Sequence, residues 1–164
     1  MAAKHQCWPR VDSGEKEVVR NNSRALRHIV HARSPAYDDV QYAVSRVPEG
    51  GTVIVPAGTA SWTQPFILTK SITLKGATTT SGAGTANATA NDQAFILDDS
   101  PPTGQTGLLI VHANTARITG FTFRHGQSTT HTGDGAIRLN ADVTPGHIRI
   151  DHYRYPHPLA CAPQ

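Results

Sequence analysis

The amino-acid sequence predicts an all-β chain whose short strands stack as a solenoid, and three observations carry that expectation. First, Arg117-Ile118-Thr119-Gly120-Phe121-Thr122-Phe123 matches Arg149-Ile150-Asp151-His152-Tyr153-Arg154-Tyr155, basic for basic, aliphatic for aliphatic and aromatic for aromatic. A unit that recurs in this way buries its apolar face only when a neighbouring copy covers it. Second, 14 Gly and 11 Pro separate short β-branched runs, so strands are short and turns frequent. Third, sustained helical spacing occurs in one place only. The 164 residues suit a single domain with room for a core.

The elements follow in order. Residues 1–33 carry no sustained period and read as a poorly ordered leader, in which Ala25, Leu26, Ile29 and Val30 could make a turn or two of helix. Ser34 can cap a helix, Pro35 suits its first position, and Tyr37, Val40, Ala43, Val44 and Val47 share one apolar face. Pro48-Glu49-Gly50-Gly51 ends it. Thr52 to Gly58, Phe66-Ile67-Leu68 and Ile72 to Gly76 read as strands closed by Gly or Pro, with a turn containing Trp62 and Pro65. Residues 77–92 are almost wholly small and polar and read as a projecting loop. Ala94 to Leu97, Leu108 to Val111, Arg117 to Phe123, Ala136 to Leu139 and His147 to Tyr155 complete eight or nine strands. The helix before the first strand is placed to cover an open end of the stack. After Tyr155 three prolines break the pattern, and with no cap behind the last rung the sequence reads as a fragment, a frameshifted end or a chain needing a partner.

Charge narrows the function classes. Residues 1–33 hold 7 Lys and Arg against 3 acids, whereas residues 34–164 hold 8 against 9, so the basic character belongs to the leader. Lacking interleaved aromatics or a reading helix, it predicts no nucleic-acid partner. No run of about 18 apolar residues predicts a membrane span, and the first 30 residues lack a signal-peptide core. Cys7 and Cys161 form no metal-binding spacing, and whether they pair is open.

Several motifs taken together resemble a known family. Asp39-Val40-Gln41, Pro48 to Gly58, Ile72-Thr73-Leu74-Lys75-Gly76 and the rung texture of residues 116–123 and 135–153 are similar to the start of the pectin-lyase-like superfamily. The resemblance covers roughly residues 36–155. It implies a right-handed single-stranded parallel β-helix with an N-terminal capping helix, spanning residues 34–155 and incomplete at its C-terminal end, with 156–164 as a Pro-rich tail. A narrower likeness lies in Gly133 to Asp142 followed by His147 to His152. It resembles the part of calcium-dependent pectate lyases where an acidic strand precedes a Trp-Ile-Asp-His-like strand, with Arg149 standing in place of the tryptophan.

That likeness implies Asp134 and Asp142 as calcium ligands, and Asp134, Asp142, Arg149 and Asp151 as contacts to a polysaccharide. Calcium takes six to eight oxygens, so two carboxylates need carbonyls, water or substrate to complete the shell. The rungs that carry the family's catalytic arginine are not in the chain, and no catalytic residue is assigned. The implied function is the carbohydrate-engaging portion of an extracellular or cell-surface polysaccharide-active protein, with lyase or glycosidase chemistry as the enzymatic option. The alternatives are a structural β-helix of the adhesin or tail-spike kind, self-associating through its uncapped last rung, or an inactive fragment.

Other candidates have plainer readings. His125, His131 and Asp134 read as a polar loop before a metal cluster. Asp151 and His152 are adjacent, so regular strand geometry sends their side chains to opposite faces and leaves Asp151 to brace a turn. Phe121, Phe123, Tyr153 and Tyr155 read as an interior aromatic stack, with tyrosine the better outward platform for a sugar ring. Asn87-Ala88-Thr89 and Asn21-Asn22-Ser23 fit the N-glycosylation pattern, and Gly82-Ala83-Gly84 lacks the spacing of a phosphate loop.

Overall fold

A computed structural model describes residues 28–82, 84–100, 107–127, 136–140 and 146–154. The chain opens with strand β1 (Ile29–His31), followed by helix α1 (Tyr37–Arg46), β2 (Thr52–Ile54), β3 (Gly58–Trp62), β4 (Phe66–Leu68) and β5 (Thr73–Lys75). Next come β6 (Thr79–Ser81), β7 (Thr89–Asn91), β8 (Ala94–Asp98) and β9 (Leu109–Val111). The series ends with β10 (Thr115–Thr119), β11 (Thr122–His125), β12 (Ile137–Leu139) and β13 (His147–Asp151). Strands dominate and α1 is the one helix among the described residues, as the all-β reading requires.

Three parallel sheets account for eleven of these strands. Their orders are β1-β2-β5-β10-β13, β3-β8-β11 and β4-β9-β12, and none closes on itself. From β2 onward the chain visits the sheets in one rotation, as β2-β3-β4, then β5-β8-β9, then β10-β11-β12, and returns to the first sheet at β13. The register pairs Arg117 with Arg149, Ile118 with Ile150 and Thr119 with Asp151, so the repeat read in the sequence is the register of two stacked strands. The same ladder runs Val30, Val53, Leu74, Ile118 and Ile150 through five strands. Val53, Leu74 and Ile118 are buried, and in the other two sheets Ile96, Phe123, Phe66, Leu68, Leu109 and Val111 join them in one apolar cluster. Burying each such side chain stabilises the fold by roughly 1.5–3 kcal/mol.

Helix α1 lies on this cluster through Val40, Ala43, Val44 and Val47, the apolar face expected from its spacing. Its start is shifted, however. Ala36 is the N-cap, so Pro35 lies outside the helix, and the Ser34 hydroxyl accepts the Ala36 amide at 3.1 Å while donating to Asp39 at 2.5 Å. Pro35 instead presents its carbonyl to the indole of Trp62 at 3.0 Å. At the other end the Lys70 ammonium donates to the carbonyls of Val44, Ser45 and Val47, each at 2.9 Å. Those are carbonyls that a helix C-terminus leaves without partners, and a cation there also faces the negative end of the helix dipole.

Three differences from the sequence reading have physical causes. Residues 29–31, placed in the low-order leader, form β1, because pairing with β2 covers Val30 in the ladder. Three residues are too few to display a period. Gly58–Trp62 is a strand rather than a turn, and Trp62 packs inward against Phe66 with ring centroids 5.2 Å apart. Finally, residues 77–92, read as a projecting loop, contain the antiparallel hairpin β6–β7, held by a Ser81–Thr89 hydroxyl bond of 2.6 Å. Composition hid it, since a hairpin of Thr, Ser, Ala and Asn shows no apolar alternation.

Candidate functional site

The corner that follows β10 and β13 supplies the chemistry. After β5, β10 and β13 the chain turns sharply at Gly76, Gly120 and His152, and these three residues stack. A Cβ at either glycine would collide with the other's carbonyl oxygen, and Gly120 has φ of +75°. Glycine is the residue that accepts both demands. His152 fills the third place with φ of +51°, the one positive φ outside glycine among the described residues. Backbone of this kind is uncommon away from functional or over-determined positions.

That conformation folds the imidazole of His152 back onto its neighbour, with Nδ1 3.1 Å from Asp151 Oδ1. The expectation that the two side chains face apart is therefore corrected, because it holds only for extended residues and His152 is not extended. Asp151 is the centre of the cluster. Arg117 donates to it through Nε at 3.2 Å and Nη2 at 3.1 Å, and Arg149 pairs with it through Nε. Burial opposes ionisation of this carboxyl, but hydrogen bonds from Thr119, Arg117 and His152 together with the Arg117 charge outweigh it. They hold the group well below the usual carboxylate range. The side chain keeps 15% of its surface exposed.

A cleft of about 810 Å³ opens between this corner and the β6–β7 hairpin. Asp151, His152, Tyr153 and Arg154 form one wall, and Thr80, Ser81, Ala88, Thr89 and Ala90 form the other. The base of the hairpin is tied to the corner. Arg154 Nη1 reaches Asp92 at 2.9 Å, and Asp92 in turn accepts the Thr122 hydroxyl at 2.8 Å. Thr78, buried between the two, accepts the amides of Gln93 at 3.0 Å and Ala94 at 3.1 Å. Within the cleft wall the hydroxyl oxygen of Thr80 is buried without a hydrogen-bond partner. Tyr153 is 50% exposed, whereas Phe121 and Phe123 are buried with ring centroids 5.9 Å apart. The interior aromatic stack thus contains the two phenylalanines and stops before Tyr153. Tyr153, half exposed, lines the cleft.

Of the residues singled out from sequence, Arg149 and Asp151 are in this cluster. Asp134, Asp142, His131 and Tyr155 lie outside the described residues, as do Cys7, Cys161 and Asn21. The oxygens of Asp151 face two guanidinium groups and an imidazole, a setting that suits hydrogen-bond acceptance and does not suit a calcium ion. Among the described residues no group of three His, Cys, Asp or Glu side chains could hold a metal. No helix among them is long and apolar enough to cross a membrane. His125 ends β11 in register with Asp98.

Sequence reasoning missed Arg117, Tyr153's place beside the hairpin, and the hairpin wall itself. Arg117 was legible in principle, since the repeat pairs it with Arg149 on one outer face and pairs Thr119, two residues on, with Asp151. The hairpin carried no such signal. No protein-family model, curated protein or solved structure matches this chain.

Proposed function

We propose that the three parallel sheets are the faces of a right-handed parallel β-helix, and that its corner cleft engages a polysaccharide. The rotation of the chain through the sheets supports the first part. The cleft supports the second, and the observation that carries it is Tyr153, a half-exposed aromatic ring beside the Asp151 cluster and opposite a wall of hydroxyls. Sugar rings offer apolar C–H faces that pack on an aromatic ring and hydroxyls that both donate and accept hydrogen bonds. Asp151 and the hydroxyls of Ser81 and Thr89 match that chemistry. On this reading the chain is a carbohydrate-engaging part of an extracellular or cell-surface protein, and lyase or hydrolase chemistry is not assigned to any residue in it.

Affinity electrophoresis through gels containing polygalacturonate, or a neutral glycan, tests the reading. Retardation that is lost in Tyr153→Ala is the expected result, and no retardation in either gel, with or without calcium, overturns it. Calcium dependence would point to Asp134 and Asp142, since Asp151 is already engaged by cations. A structural stalk is the second reading, favoured by the unbroken ladder from β1 to β13. It predicts no glycan retardation, and self-association through the β13 edge that sedimentation velocity would detect.

A further inference from the structure

A second hollow of about 220 Å³ lies toward the N-terminal ends of β5, β10 and β13, on the outer face of the five-stranded sheet. Ser71, Thr73, Thr115, Arg117, His147 and Arg149 are among the residues that line it. The register sets Thr73, Arg117 and Arg149 in one column and Thr115 beside His147 in the next. Like charges directly opposite on neighbouring strands repel each other. Here two stacked guanidinium groups share the single carboxylate of Asp151, which leaves that cluster of three side chains with one net positive charge.

Arg117 uses Nε and Nη2 on Asp151, whereas Arg149 uses Nε and is 68% exposed. The two Nη groups of Arg149 therefore present a planar fork of N–H donors, the arrangement that donates to two oxygens of an anion at once. The carboxylate of Glu49, the residue before Gly50 of the lining, accepts the Ser71 amide at 2.6 Å. We infer that this hollow binds an oxyanion, held by the Arg149 fork and His147 with the hydroxyls of Thr73 and Thr115 completing its shell. The ligand class is a phosphate or sulfate, either as a free ion or as a substituent of a polymer. The inference stands independently of the sugar reading of the cleft.

Sodium phosphate titrated into the full chain, against sodium chloride at matched ionic strength, tests it through the Arg149 Nε–H and His147 amide resonances. A saturable shift is expected, weakened about tenfold in Arg149→Gln by loss of a charge-assisted contact. His147→Ala should weaken it as well, and Arg46→Gln, which removes one charge from the exposed helix face, should not. Shifts that fail to saturate, or that weaken equally in Arg46→Gln, overturn the proposal. Immobilised dextran sulfate and plain dextran separate the two sources of the anion. Retention on the sulfated gel alone that is lost in Arg149→Gln and kept in Arg46→Gln assigns the anion to a polymer, and saturable phosphate binding without such retention assigns it to a free ion.

Discussion

Asp151 accepts hydrogen bonds from Arg117, a hydroxyl and an imidazole and is ion-paired with Arg149, and its effect on stability follows from that setting. Its folded-state pKa lies below the unfolded value of about 3.9, so its contribution is complete above that value. The contribution falls as the pH drops further, because the unfolded chain then takes up a proton that the folded chain refuses. Asp151→Asn should lower stability by about 2 kcal/mol at neutral pH, since it leaves Arg117 and Arg149 opposed without a counter-charge. Urea denaturation measured from pH 7 to pH 2 checks both statements, and the variant should lose part of the acid slope. The turn itself gives a second expectation. Gly120→Ala adds a Cβ at a positive φ and against the Gly76 carbonyl, and should destabilise by about 2–3 kcal/mol.

Helix α1 and the β6–β7 hairpin differ in how they are held. The apolar face of α1 is buried, but its last turn depends on Lys70, a residue that follows β4 in sequence and reaches back across the fold. Lys70→Met should reduce stability by about 1–2 kcal/mol in chemical denaturation, by removing a charged donor from three carbonyls. The helix was legible in the spacing of Val40, Ala43, Val44 and Val47. The cap was not, because a lysine 23 residues beyond Val47 carries no local sign that it ends a helix. The hairpin is fixed at its base by Thr78, Asp92 and Arg154, while its tip is exposed. Replacing residues 82–88 by a short turn should therefore change stability by less than about 0.5 kcal/mol, as for other exposed surface changes. Glycan retardation should weaken in the same variant, since Ala88 and Thr89 belong to the segment whose geometry it alters.

For the molecule as a whole, stability resides in columns that cross successive strands. Ile118 is fully buried with Leu74 on one side and Ile150 on the other, and Ile118→Ala should lose about 3 kcal/mol. Ile150 is only partly buried on the edge strand β13, so Ile150→Ala should lose less, and denaturation midpoints of the two variants check that order. Parallel pairing makes such columns possible because identical registers repeat without reversal, so the outer face repeats as faithfully as the inner one. Thr73, Arg117 and Arg149 line up for the same reason as Leu74, Ile118 and Ile150.

The sequence by itself determined the strand-rich architecture, the apolar face of α1 and the register of β10 on β13. Each of these rests on local periodicity or on a repeat, both of which survive in one dimension. It also marked Arg149 and Asp151, although for reasons of resemblance rather than contact. Only the tertiary structure decided that Asp151 and His152 meet, because a positive φ at the corner reverses the alternation of strand geometry. It alone decided that a hairpin of small polar residues faces Tyr153, and that Arg117 and Arg149 share one carboxylate. The contacts of Arg117 with Asp151 and of Asp92 with Arg154 join residues 34 and 62 positions apart, and no local pattern encodes them.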